Sequence, residues 1–400
     1  MVNCKKIFSF IICIIVLLSM TACASEEKKG EGMATQNTEK NISVKTLFKD
    51  TPSHIKIDFS ENYTVDADIS FPQITNADVL FAEYNHINEQ SLVSVFFNGK
   101  TPNKEIYTED DITSYTDENS EMIVANEYIT YRTQDYNYVK YPIENFTPEY
   151  DLLSTGRKYN ETFMQENLNF MNKEEALNTV SGVLEKLSLN NIAENVEIYA
   201  IDYNTLQIEQ EKRIQSEIDI QKKMGVSPIQ NPTDGYQIKD TFTQDDEFYV
   251  MYFTMVQNQI PVTQMSYDIL SGERSLYGSV IKVLLSPKGI IEFECSGIYK
   301  SKGSAESPDV LISAEEAVQR AYEIYNSTIS TDIITVNSID FEYVPAAYNK
   351  NHNEVKLIPS WSLNLSYHYE SSEKSKDKNS ELKDINRMLY INAVNGEEIK

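Results

Sequence analysis

Histidine and cysteine are scarce in this chain, with four of each in 400 residues. Metal-dependent hydrolysis usually rests on a paired-histidine motif. Here His54, His86, His352 and His368 stand far apart, with no His or Cys at ligand spacing. No metal and no cofactor is therefore expected. Basic residues are in deficit as well: 35 Lys and Arg against 61 Asp and Glu leave a net charge of −26. Such a balance repels nucleic acid and anionic lipid, which excludes nucleic-acid binding as a function class. A Gly-x-Ser-x-Gly elbow, a phosphate-cradling Gly-Lys-Ser/Thr loop and an Asp-x-Asp-x-Asp-Gly calcium loop are all missing. Ser371-Ser372-Glu373-Lys374 has the spacing of a serine–lysine pair, but its polar surroundings cannot desolvate an amine. Carboxylates are so plentiful that pairs such as Asp110/Asp111 and Asp245/Asp246 read as solvated surface.

The first residues are informative. Lys5 and Lys6 precede an apolar run from Ile7 to Leu18, and Ser19-Met20-Thr21-Ala22-Cys23 follows. A positive start, a short apolar core and small residues at its close describe an export signal, too short for a stable membrane span. The cysteine after the small residues resembles the bacterial lipoprotein box, with Met20 where leucine is usual. That resemblance implies removal of residues 1–22, a lipid on Cys23 and a place on the extracellular face of the cell membrane. A plain cleaved signal peptide is the other reading. Loss of Lys5 and Lys6 makes the mature chain two units more negative, −28. Electrostatics cannot hold such a protein at an anionic envelope, so the lipid must. Cys4 and Cys13 leave with the signal and Cys23 is lipidated. Cys295 remains alone, which excludes an internal disulfide. It lies in the alternating run Ile290–Ile298 and reads as a small core residue rather than a nucleophile.

Residues 23–46 hold almost nothing to bury and read as a disordered spacer. Residues 47–160 look β-rich: Tyr63, Val65, Ala67, Ile69 and Phe71 alternate with polar residues, a half-buried strand stopped by Pro72. Leu92 to Phe97, ended by Asn98-Gly99, and the runs Met122–Tyr131 and Tyr136–Tyr141 read as further strands. The period then changes. Asn172-Lys173-Glu174-Glu175 opens a helix in capping-box style, with Ala176, Leu177, Val180, Val183, Leu184 and Leu187 at helical spacing. Ser313-Ala314-Glu315-Glu316 opens a second helix in the same way. Each leads into strands (Val196–Tyr203 and Phe248–Val256; Ile333–Val344 and Ile358–Leu365) and closes on a glycine turn, at Gly289 and Gly396. The order predicts an internal duplication: a first α+β unit over 161–303, carrying a helical insertion at about 205–232, and a second over 304–400. The fold class is α+β, with each unit a helix on an antiparallel sheet.

Glu-Glu-Ala at a helix start and the closing stretch Asn392-Ala393-Val394-Asn395-Gly396-Glu397-Glu398-Ile399 are similar to PepSY-type modules of exported bacterial proteins. Tyr252–Val262 looks like a related pattern in the pro-regions of secreted metallopeptidases. With its anchor, the chain also resembles surface lipoproteins of clostridia and their relatives. These resemblances imply binding or inhibition of an envelope or secreted protein, and no catalytic residues. Tyrosine is abundant, 26 residues against one tryptophan, and Tyr128, Tyr131, Tyr136, Tyr138 and Tyr141 cluster. Such a cluster suits a protein- or glycan-binding surface, or tyrosine simply fills sheets as phenylalanine would. Trp361 reads as core. The expected function is a non-enzymatic surface lipoprotein that binds another envelope protein. The alternatives are a binding module for a small ligand, peptide or glycan and, last, a hydrolase.

Overall fold

The computed structural model describes residues 42–108, 111–225, 237–268, 275–327, 332–347, 354–368 and 384–400. Cys23, residues 226–236, His352 and Ser371–Lys374 lie outside the described residues. Ile42–Ser43 pairs antiparallel with Val310–Leu311, and helix α1 (Val44–Asp50) follows at once. Residues 42–46, inside the stretch read as spacer, therefore take part in the fold. The hold is apolar: Val44 and Leu47 are buried in the core under α1.

Strands β1 (His54–Ser60), β2 (Tyr63–Ser70) and β3 (Val79–Tyr84) come next, then helix α2 (Glu89–Phe96). A meander follows: β4 (Asn103–Tyr107), β5 (Ile112–Thr116), β6 (Ser120–Val124) and β7 (Tyr128–Thr133). Helix α3 (Gln134–Ile143) and the short α4 (Tyr159–Thr162) lead to α5 (Lys173–Lys186), β8 (Ile192–Ile201) and α6 (Tyr203–Lys223). Then come β9 (Phe248–Gln257), β10 (Val280–Ser286), β11 (Gly289–Ser296) and β12 (Tyr299–Glu306). The chain finishes with α7 (Ala314–Asn326), β13 (Ile333–Ala347), β14 (Glu354–His368) and β15 (Asp384–Asn392). The protein is α+β and sheet-rich. No helix among the described residues is long and apolar enough to cross a membrane.

Two large sheets organise these strands. The first runs β8-β9-β10-β11-β7-β6-β5-β4, and the second β12-β3-β14-β13-β2-β1, with β15 along the other part of β14. Strands from 47–160 thus divide between the sheets: β1 to β3 complete the second, while β4 to β7 extend the first. Capping is as the sequence reads. Asn172 accepts from Glu175 N at 2.9 Å while the Glu175 carboxylate reaches back to Asn172 N, and Ser313 accepts from Glu316 N at 3.2 Å. After each capped helix the chain lays down antiparallel neighbours in sequence order, β8-β9-β10-β11 and β13-β14-β15.

Two stretches read as strands are helices. Asn88 caps α2 by accepting from Ser91 N at 3.0 Å, and Leu92 and Phe96, four apart, form its buried face. The Asn98-Gly99 pair is left-handed (φ 50° and 74°), but it ends a helix instead of turning a hairpin. In α3 the buried residues Tyr136, Val139 and Ile143 follow helical spacing, which the Tyr136/Tyr138 alternation masks.

Burial explains the pattern of β9, apolar on both faces. Tyr249, Met251 and Phe253 pack beneath α5 with Ala176, Val180 and Leu184. Phe248, Val250 and Tyr252 face the side covered by α3, α4 and α6. The second sheet is covered on one face by helix α7. Ala314, Ala317, Val318 and Ala321 of α7 lie over Phe341, Trp361, Leu363 and Ile391, and the Trp361 indole N–H donates to Ile312 O at 3.0 Å. Its other face is polar, and that face borders the site described next.

Candidate functional site

A strap between β9 and β10 joins the two sheets. Val262 N donates to Met255 O at 2.9 Å, Thr263 N to Tyr343 O of β13 at 2.9 Å, and Ser279 N to Thr263 O at 2.7 Å. The strap lies hard against Gly278, where a Cβ would come within 2.2 Å of Gln264 O, so only glycine admits this approach. Beside the strap, between the sheets, opens a cleft of about 1030 Å3. Ile192–Asn195 of β8, with Thr254 and Val256 of β9, form one side. Ser338, Asp340 and Glu342 of β13 form the other, and Phe71, Leu152, Met265 and Met388 contribute apolar surface.

Alternation places the acids there. Ile339, Phe341 and Tyr343 point into the core under α7, so Ser338, Asp340 and Glu342 take the opposite face. Register sets Asn364 opposite Ser338, Ser362 opposite Asp340 and Ser360 opposite Glu342. Ser362 Oγ donates to Glu342 Oε1 at 2.5 Å, and the Thr263 hydroxyl also bonds this carboxyl. Burial pushes Asp340 up to about 6. Burial, with the neighbouring Asp340 charge, pushes Glu342 up to about 8. Two buried polar atoms on this face, the Ser338 hydroxyl and the acceptor Asn364 Oδ1, have no hydrogen-bond partner among the described residues.

A smaller cavity of about 430 Å3 borders Tyr128, Tyr150, Tyr252, Lys282 and Glu294. Lys282 Nζ lies 2.6 Å from Glu292 and 3.6 Å from Glu294, while Arg132 pairs with both acids. Burial pulls the Lys282 ammonium down, but the two glutamates outweigh it and hold it above its ordinary range. A lysine held protonated in this way is no general base or nucleophile. The network ties β7, β10 and β11 together.

The five tyrosines singled out from the sequence do not gather on one surface. Tyr131 is buried toward α5, stacked on Phe96 at 4.6 Å. Tyr136 is buried on the opposite face of the first sheet, under the Arg132 guanidinium at 5.1 Å. Tyr141 is fully buried, with the Arg213 guanidinium over its ring at 4.2 Å. Tyr128 is half-buried at the smaller cavity, and only Tyr138, 37% exposed, faces outward. Cys295 is buried among apolar side chains, and burial pushes its thiol up to about 12, far from a nucleophile's range. Among the described residues, no group of three His, Cys, Asp or Glu side chains could hold a metal ion. The residues that do converge, Asp340 and Glu342, carry a faint sequence signal: polar residues alternating with apolar ones, which a solvent-facing strand shows equally.

No family model and no curated protein matches the chain. The fold is shared. The crystal structure of an uncharacterised protein from Eubacterium rectale aligns over 87% of this chain and 94% of its own, at 15% identity and a TM-score of 0.62. At that identity the likeness is one of fold alone. YycH from Bacillus subtilis aligns over 80% of this chain and 57% of its own, at 11% identity and a TM-score of 0.33, too low to carry an argument.

Proposed function

We propose that the protein is a non-enzymatic binding protein of the outer cell surface, held to the membrane through a lipid on Cys23, with the cleft between its two sheets as the ligand seat. The cleft carries this reading. Its volume of about 1030 Å3 stands at the upper end of the roughly 300–1000 Å3 usual for ligand sites. Like them, it combines apolar surface with a few buried polar groups whose bonding capacity is unspent. We read the two helix-then-meander units as PepSY-like modules, with the cleft at their junction. The test is thermal unfolding of residues 24–400 with and without a panel of peptides and sugars. A ligand at a hundred times its Kd is expected to stabilise by about 2.7 kcal/mol, and an inert response to every ligand class would contradict the seat.

A second reading, in which the chain restrains another envelope protein, draws on β4. All of β4 is exposed, including Ile106 at 62% and Tyr107 at 49%, and among the described residues it pairs only with β5. An exposed edge strand can accept a strand from a partner. Capture of a saturable protein partner that is lost on Ile106→Lys would favour this reading.

The anchor has its own test. Cys23→Ser is expected to move the protein from the membrane fraction to the soluble one, and unchanged membrane retention counts against lipidation.

A further inference from the structure

We infer that the cleft takes a ligand bearing a primary ammonium or guanidinium group, seated against Asp340 and Glu342. This rests on the cleft being the ligand seat and goes on to name the chemistry it selects. Among the described residues that line the cleft, three are acidic (Glu194, Asp340 and Glu342) and none is Lys, Arg or His. Of the other buried carboxylates, three have cations: Arg132 and Lys282 for Glu292, Arg157 and Lys212 for Glu209, Lys239 for Asp246. The remaining two are held by local amides, Glu247 by Asn169 and Asp202 by Thr205 N at the start of α6, and neither lines the cleft. Around Asp340 and Glu342 the neighbours are hydroxyls and an amide instead: Ser362 and Thr263 on Glu342, Ser360 and Asn364 on β14, Tyr390 on β15, with Glu194 across the cleft.

The hydrogen-bonding inventory points the same way. Asp340 and Glu342 stand two residues apart on one strand face, about 7 Å along the strand. Beside them, Asn364 Oδ1, on a side chain 3% exposed, is an acceptor and the Ser338 hydroxyl both donor and acceptor, neither with a partner among the described residues. This wall is rich in acceptors. An ammonium brings three donors and no acceptor, and a guanidinium brings five, so either matches a wall that anions and phosphates would find repulsive. The apolar surface of Phe71, Leu152, Met265 and Met388 suits the aliphatic stem that carries such a group. Because burial holds both acids above the ordinary carboxylate range, a bound cation would draw a proton off the site. Binding should then release protons and strengthen as pH rises from about 5.5 to 8.

Titration calorimetry of residues 24–400 provides the test. The probes are capped pentapeptides of alanine with a central lysine, arginine, glutamine or glutamate, and free cadaverine to separate a peptide source from a small amine. The lysine or arginine peptide, cadaverine, or both should bind at least tenfold tighter than the glutamine peptide. Proton release and a tenfold gain between pH 5.5 and 8 should accompany binding, and Asp340→Asn and Glu342→Gln should each lose tenfold or more. Denaturant midpoints establish that the variants are folded. A glutamine peptide that binds as tightly as the lysine peptide, yet is lost when Gln264→Trp fills the cleft, overturns the cationic subsite and spares the seat. Cation binding that both acid variants retain also overturns the subsite. No saturable binding by any probe overturns seat and subsite together.

Discussion

Replacing Lys282 with methionine is expected to destabilise the fold by about 3–5 kcal/mol, because it leaves Glu292 buried without its nearer cation. Glu292 is 0% exposed and depends on Lys282 at 2.6 Å and Arg132 at 3.0 Å. Arg132 is already shared with Glu294, so two carboxylates would compete for one guanidinium. The loss comes from the uncompensated charge more than from the pair itself, which sets up a second comparison. Lys282→Met combined with Glu292→Leu restores the balance, one cation to one anion, and should recover more than half of the loss. Urea unfolding of the three proteins decides the matter. A double variant no more stable than Lys282→Met would mean that packing, and not charge, dominates at this site.

Glu342→Gln is expected to act in the opposite direction and to depend on pH. Burial raises this carboxyl from 4.5 to about 8, and Asp340 from 3.8 to about 6. A raised acid binds its proton more tightly folded than unfolded. Its favourable contribution is therefore greatest at low pH and falls as pH rises from the unfolded value through the folded one. For Glu342 the fall spans about pH 4.5 to 8 and amounts to about 3–5 kcal/mol at 1.36 kcal/mol per pKa unit. Removing the charge should flatten the profile: near-equal stability of variant and wild type at pH 4.5, and a variant more stable by several kcal/mol at pH 8.5. Denaturant midpoints at the two pH values test this, and coincident midpoints at pH 8.5 would show that the carboxylate is solvated there.

Much of the scaffold is legible in the sequence because its signals are local. The caps at Asn172 and Ser313, the alternation of β2 and the glycine turns at Gly289 and Gly396 each need only a few neighbouring residues. The two missed helices are short, and each carries a competing signal, a turn dipeptide after α2 and a two-residue alternation within α3. The sheet partnerships of residues 47–160 are non-local: Thr64 on β2 meets Thr335 on β13 across 271 residues of sequence, through hydroxyls 3.3 Å apart. The cleft could not be foreseen for the same reason. Asp340 and Glu342 alternate with apolar residues as solvent-facing acids do, and only the strap through Val262 and Thr263, which draws the first sheet onto β13, encloses them. The tyrosine cluster fails as a surface through geometry that spacing hides, since β7 and α3 send Tyr131 and Tyr136 to opposite faces of one sheet.

The seat itself can be tested by occupying it. Cys295 is buried and its thiol is unreactive, so a cysteine introduced by Asn195→Cys, at an exposed position of the cleft lining, is the one site for a bulky maleimide in residues 24–400. The variant should bind the lysine pentapeptide or cadaverine before labelling and lose that binding once labelled. Undiminished binding by the fully labelled protein would contradict the cleft as the place where this protein holds its ligand.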